Sequence, residues 1–245
     1  MLYMSEFRIS NYDEIKQIVS ELNYKTNNDI LFRGEPKCLV PSLINFCKSD
    51  FDTTESFLLE EFKKKSNLML RFESSAARDW EIRIAAREYG LASSLMDWSN
   101  SLDIALEFAT NNFETKNLEH SSLWVLDKSN LKQITINQNT DIRFENIVEP
   151  TIIQFTDYSG LTYHRRRLIQ GGYFLFQSTE DINTPLENNS FFSDILHHIV
   201  IPKEAVFEIR KQLSAKLDLK LDTCVELNTS DESRKVLCKK LNSQI

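Results

Sequence analysis

The chain has 245 residues, 41% of them hydrophobic and 27% charged, with a formal net charge of -7. That length suits one large domain or two small ones and can bury a substantial core. The acidic balance excludes a general duplex-DNA binder, because phosphate affinity depends on neutralising charge.

Asn11 to Leu22 reads as a helix: Ile15, Ile18, Val19 and Leu22 recur at helical spacing, with Ser10 or Asn11 as the cap. Leu31-Phe32-Arg33 reads as a short strand ending at Gly34, and Pro36 to Pro41 as a loop, since each proline removes a backbone donor. Thr54 to about Arg71 predicts a long helix with Phe57, Leu58, Phe62 and Met69 facing inward. Asp79 to Tyr89 predicts another, with Trp80, Ile84 and Ala85 on its inner face and Gly90 as its stop. The central block Leu91 to Ser101 then reads as a loop between helices, because Leu102 to Phe113 is again helical, with Leu102, Ala105, Leu106 and Ala109 along one stripe.

Beyond that the period changes. Ser122 to Asp127, Thr151 to Phe155, Tyr173 to Gln177 and His197 to Ile201 read as strands. The polar stretch from Ser129 to Asp141 reads as an excursion within one domain. Lys203 to Leu217 returns to helix, and Cys224 to Leu227 reads as a last short strand before a terminal helix. Helices early and strands late make this α+β rather than alternating βαβ. The expectation is a single domain whose N-terminal helices pack on a mixed or antiparallel sheet of one early strand and several late ones.

Cys38, Cys47, Cys224 and Cys238 lack CxxC or Cys-His metal spacing, so no metal is expected. The first residues carry acids and no apolar core of a signal peptide, and no stretch reaches the ~20 apolar residues that span a bilayer. The expectation is a reduced, cytoplasmic protein without membrane partners. The run Lys63-Lys64-Lys65 reads as a solvated helix face.

Three segments concentrate residues that do chemistry. Arg33 offers a planar, permanently charged fork beside Gly34, suited to bidentate capture of phosphate or carboxylate, or else to an internal ion pair with Asp97 or Glu35. Tyr89, Ser93, Ser94, Asp97 and Trp98 are crowded between two hydrophobic runs, and pockets commonly mix an apolar wall with a few fixed polar groups. Trp98 is equally readable as core and Asp97 as a helix cap. Arg166 and Gln170, in RRLIQGGYF, set a cation and an amide before two glycines and a strand, where a plain bulge or turn is the alternative. His197 and His198 lie on a strand, where neighbours point to opposite faces, which argues against one shared metal. No Gly-rich phosphate loop, HExxH or GxSxG occurs.

As an ordered set these segments resemble the FRG domain family, named for its Phe-Arg-Gly signature. The resemblance rests on Phe32 to Gly34, on Val40 to Leu43 (VPSL) and on Glu60-Glu61-Phe62. It continues through Tyr89-Gly90, Leu95 to Ser99, and Arg166, Gln170, Gly172 and Phe174, and closes at Ile199 to Pro202. It divides the chain into a helical extension over 1–27 and an FRG-like domain over 28–245. The chain departs from the family pattern at Arg87-Glu88, where glutamine-histidine is usual, and at Ser93-Ser94, where threonine and arginine are usual.

A second, weaker resemblance is to ADP-ribosyltransferases. By that analogy the chain is an NAD-using effector, a toxin or a phage-defence protein, with NAD as substrate and a macromolecular acceptor or regulatory protein as partner. Arg33 would hold a phosphate or ribose, Tyr89 and Ser93 would line the nicotinamide pocket, and Gln170 would be the late catalytic residue, with Glu180 or Glu149 in reserve. Two other classes stay open: a non-catalytic module for a nucleotide or nucleic-acid end, gripped by Arg33 and Arg166, and a protein-interaction domain whose signature residues brace the core.

Overall fold

The computed structural model describes residues 6–22, 29–36, 51–111, 119–155, 171–178, 180–182, 184–217 and 229–243. Its eight strands are β1 (Glu6–Arg8), β2 (Ile30–Glu35), β3 (Met96–Ser99), β4 (His120–Asp127), β5 (Lys132–Ile136), β6 (Thr151–Phe155), β7 (Gly172–Phe176) and β8 (Leu196–Pro202). Its helices are α1 (Tyr12–Glu21), α2 (Phe51–Lys65), α3 (Ser75–Glu88), α4 (Leu102–Thr110), α5 (Lys203–Leu217) and α6 (Thr229–Asn242). The class is α+β, built on one mixed sheet in the order β1-β8-β4-β2-β3-β7-β6-β5. β1 runs parallel to β8 and β5 parallel to β6, while the other pairs are antiparallel.

Alternation along the strands sorts the helices onto two faces. Ile30 and Phe32 of β2 and Leu123 and Val125 of β4 point into a cluster closed by α1, α4 and α5. Leu31, Trp124 and Leu126 point the other way, into a larger cluster closed by α2, α3 and α6. The hydroxyl of Tyr12 donates to Asp103 and so ties α1 to α4.

Residue choice sets the helix ends. Asn11 caps α1 by accepting the Glu14 N–H, and Ser74 caps α3 by accepting that of Ala77. The far end of α3 is a Schellman turn: Leu91 N–H returns to Ala86 O and Gly90 N–H to Arg87 O, with Gly90 at φ 92°.

Several expectations are corrected. The helix expected to reach Arg71 stops at Lys65, and Asn67 turns the chain at φ 48°. The buried carboxylate of Glu81 then takes the Arg71 and Phe72 N–H groups, holding that run outside any helix. Phe57 and Met69, expected inside, are exposed. Met96 to Ser99 is no loop: β3 forms there, because all four of its residues pair with β7. The expected excursion over 129–141 contains β5, a half-polar edge strand, and β1 adds a second early strand. The strand expected at Cys224 to Leu227 and the VPSL stretch lie outside the described residues.

The eight strands form two halves, β1-β8-β4-β2 and β3-β7-β6-β5. Between β2 and β3 they are joined through a single residue pair, Phe32 with Ser99. Continuing that register would set Arg33 opposite Trp98 and Gly34 opposite Asp97, yet neither pair forms. The sheet is therefore split beside the Phe-Arg-Gly tripeptide.

Candidate functional site

The split holds a cavity of about 450 Å³. β2 lines it with Phe32, Arg33, Gly34 and Glu35, and β3 with Asp97, Trp98 and Ser99. The end of α3 adds Arg87, Glu88 and Gly90, and α4 adds Ile104, Ala105 and Phe108. All three residues of the signature tripeptide thus face one hollow, at a size typical of small-ligand sites.

Each signature residue has a physical reason to be there. Gly34 is not the turn that its position suggested: it lies within β2, and α4 crosses directly over it. A Cβ on Gly34 would lie 1.8 Å from Ala105 O and 2.7 Å from Ala109 N. Phe32 belongs to the cluster beneath α4. Arg33 spans the split: its Nη1 donates to the backbone carbonyl of Asp97 at 2.6 Å, replacing a ladder bond that the diverging strands cannot make. Its Nη2 lies 2.6 Å from Glu35 Oε1. Of the two acids expected to pair with Arg33, Glu35 does so through its carboxylate and Asp97 only through its main chain.

The Asp97 carboxylate belongs to Arg87 instead. Arg87 Nε donates to Asp97 Oδ2 at 2.9 Å, and Nη2 joins it in a forked pair. Burial alone would lower the Arg87 pKa, but attraction and hydrogen bonding to Asp97, with Glu88 and Glu35 nearby, more than offset that and hold it above its ordinary value. Arg87 therefore stays charged. The described lining carries two guanidinium groups and three carboxylates, Glu35, Glu88 and Asp97, a net negative charge on a partly apolar wall.

Three other residues singled out in the central block, Tyr89, Ser93 and Ser94, do not line this cavity. Tyr89 is buried beneath α6: its ring lies 6.3 Å from that of Phe62, Arg234 sits 5.5 Å over it, and its hydroxyl accepts from Arg234 Nη1. Ser93 and Ser94 are buried against α2, where Glu55 Oε1 accepts the Ser93 hydroxyl at 3.0 Å and the Ser94 N–H at 2.9 Å. Arg83 reaches the other oxygen of Glu55 at 3.6 Å. These serines brace the block from behind. Trp98 is 2% exposed, and its ring belongs to the larger core cluster.

Arg166 and Gln170 lie outside the described residues. Glu149 is exposed and pairs with Lys132 on the β5 edge, and Glu180 is exposed; neither lines the cavity. His197 and His198 alternate as expected, with His198 stacked on Trp124 at 4.2 Å and bonded to Ser122. No group of three metal-ligating side chains occurs among the described residues, and no helix there is long and apolar enough to cross a membrane. Lys64 and Lys65 pair with Glu61 along α2.

Sequence reasoning missed Glu35, Arg87, Glu88 and Phe108 as wall residues, and Glu55 as the brace. Two signals were available. Arg87-Glu88 is where the chain departs from the FRG pattern, and Phe108 is a large apolar residue on the polar side of the α4 stripe.

In comparisons with known proteins, residues 28–118 match the family model described as FRG domain, so the chain carries an FRG domain over that span. The match takes in β2, α3, β3 and α4, which supply most of the cavity wall, and ends before the Arg166 to Phe174 block. Searches among curated proteins and among solved structures gave no match.

Proposed function

We propose that the FRG domain at residues 28–118 holds a nucleotide-type ligand in the split between β2 and β3, with NAD as the first candidate and substrate. The observation that carries this reading is the mixed charge of the cavity. A nucleic-acid end is only anionic, and a net negative wall opposes it. NAD has a pyrophosphate at one place and a cationic pyridinium ring at another. Arg33 suits the first, and the carboxylates of Glu35, Glu88 and Asp97 suit the second. Phe32, Ile104 and Phe108 offer apolar surface for a flat ring. A concave volume of about 450 Å³ also favours a small molecule over a protein surface.

The chemistry such a site serves is loss of nicotinamide. The bond from ribose C1′ to the ring nitrogen breaks, and its electron pair leaves with nicotinamide, which becomes neutral. The ribosyl cation left behind is stabilised by the nearby carboxylates and captured by water or by an acceptor nucleophile, which gives up its proton to a carboxylate or to solvent. Depletion of NAD or ADP-ribosylation of a target would then be the basis of a toxin or phage-defence role.

The test is incubation with NAD, following nicotinamide release. Wild type is expected to release nicotinamide, and Arg33→Ala to lose that activity. Saturable binding without product would leave the non-catalytic module. Absence of both binding and turnover, with or without a partner protein, would end the proposal. A bracing role alone predicts that Arg33→Ala lowers the melting temperature and changes nothing else, because Arg33 already bonds across the split.

A further inference from the structure

Two buried donors on the cavity wall have no hydrogen-bond partner among the described residues: the indole Nε1 of Trp98 and the guanidinium Nε of Arg33. Buried N–H groups are nearly always paired, and an indole N–H in a core usually finds an acceptor. Trp80 shows the ordinary outcome, donating to Ile142 O at 2.9 Å. Trp98 is as deeply buried, at 2% exposure, and has no such acceptor. Both Trp98 and Arg33 line the split, and the β2–β3 register continued one step past Phe32 and Ser99 sets them opposite each other. The two residues therefore flank the gap where the sheet stops pairing.

We infer that Trp98 and Arg33 form an oxygen-acceptor subsite, in which a ligand carbonyl or phosphoryl oxygen takes the indole N–H and the Arg33 Nε–H together. This rests on the proposal that the split holds a nucleotide. It changes the part that Trp98 plays. Its ring packs in the core and offers no open face for stacking, and its contribution to recognition is one fixed donor. A donor left bare in the free molecule and satisfied on binding favours the bound state twice, through the bond made and through the unmet burial removed. Glu35 and the Asp97 carbonyl occupy the Nη2 and Nη1 corners of Arg33 respectively, so the Nε edge is the one left for a ligand.

Trp98→Phe removes the N–H and keeps an aromatic ring in the core. Calorimetric titration with NAD is expected to show about tenfold weaker binding for Trp98→Phe than for wild type. In the free variant the void left by the smaller ring and the removal of an unmet donor act in opposite directions on the melting temperature, so affinity is the readout. The same titration with ADP-ribose, which lacks the nicotinamide carboxamide, tells the two oxygens apart: a penalty that persists assigns a phosphoryl oxygen, and one that disappears assigns the carboxamide.

Equal NAD affinity in wild type and Trp98→Phe would overturn the subsite while leaving the nucleotide reading intact. Failure of wild type to bind NAD or ADP-ribose would overturn both. If Trp98→Phe does not fold, the indole N–H signals of the three tryptophans in ¹⁵N spectra decide, assigned with Trp80→Phe and Trp124→Phe. The Trp98 signal should move downfield on addition of NAD, and a signal that stays put would overturn the subsite.

Discussion

At Gly34 the constraint comes from the neighbouring helix. The backbone of α4 lies where a side chain would begin, so Gly34→Ala has to push a buried helix off its strand. Overpacking of this kind costs about 3 kcal/mol, and chemical denaturation of the variant should show a loss of that order. A loss below about 0.5 kcal/mol would mean that α4 yields easily and that the close contact does not explain the glycine. Glu55 is a second such residue, buried and committed to the Ser93 hydroxyl, the Ser94 N–H and Arg83. Glu55→Ala strands the Ser93 hydroxyl and the Ser94 N–H and takes its carboxylate partner from Arg83, and denaturation should register a loss of roughly 3 kcal/mol. Arg33 was legible from sequence as a residue of consequence, because an arginine before a glycine at a strand end stands out. Arg87 and Glu88 were not, because nothing local shows that the end of one helix and the end of one strand meet across a split sheet.

The element most misread was β3. Four residues, Met-Asp-Trp-Ser, are too few and too polar to show a period of two, and the flanking serines read as loop. β3 is a strand because β7 pairs with every residue of it from more than seventy positions away, which no local window contains. The same limit applied to α2, whose apolar spacing runs on past Lys65 although the helix does not. α1, whose pattern and cap agree, was legible nearly to both ends, and α3 at its C-terminal end, though it begins at Ser75 rather than Asp79. The last helix acts on the site from a distance. Asn242 of α6 accepts the Ala92 N–H at 2.9 Å and donates to Gly90 O at 2.8 Å, clasping the turn that carries the end of α3 into β3. Asn242→Ala should lower stability by about 1 kcal/mol. It should also speed amide exchange at Ala92, and unchanged exchange there would show that the turn holds without α6.

Across the whole molecule, two half-sheets share one continuous backbone layer but meet through one residue pair between β2 and β3, and the polar groups of the FRG domain collect at that seam. α3 lines the seam from one face and α4 from the other. The packing of α6 on α3 has a pH signature. Burial pushes the Cys238 thiol up to about 12, with the Leu91 N–H acting in the opposite direction. An unfolded thiol ionises near ~8.5, so above that pH the unfolded chain holds fewer protons than the folded one, and stability falls as pH rises. The slope from this group is at most roughly 1.4 kcal/mol per pH unit. Denaturation of wild type and Cys238→Ala between about pH 8 and 10 should diverge by that slope, and parallel curves would contradict it.

Hydrogen exchange of the wild-type protein with and without saturating NAD tests most directly whether the seam is where a ligand sits. Slowed exchange is expected at Arg33 to Glu35 and at Asp97 to Ser99, on the strand edges that face the gap, with little change at β1 or α1. Exchange that NAD leaves untouched at both strands, or slows only elsewhere, would contradict the placement of the site in the split sheet.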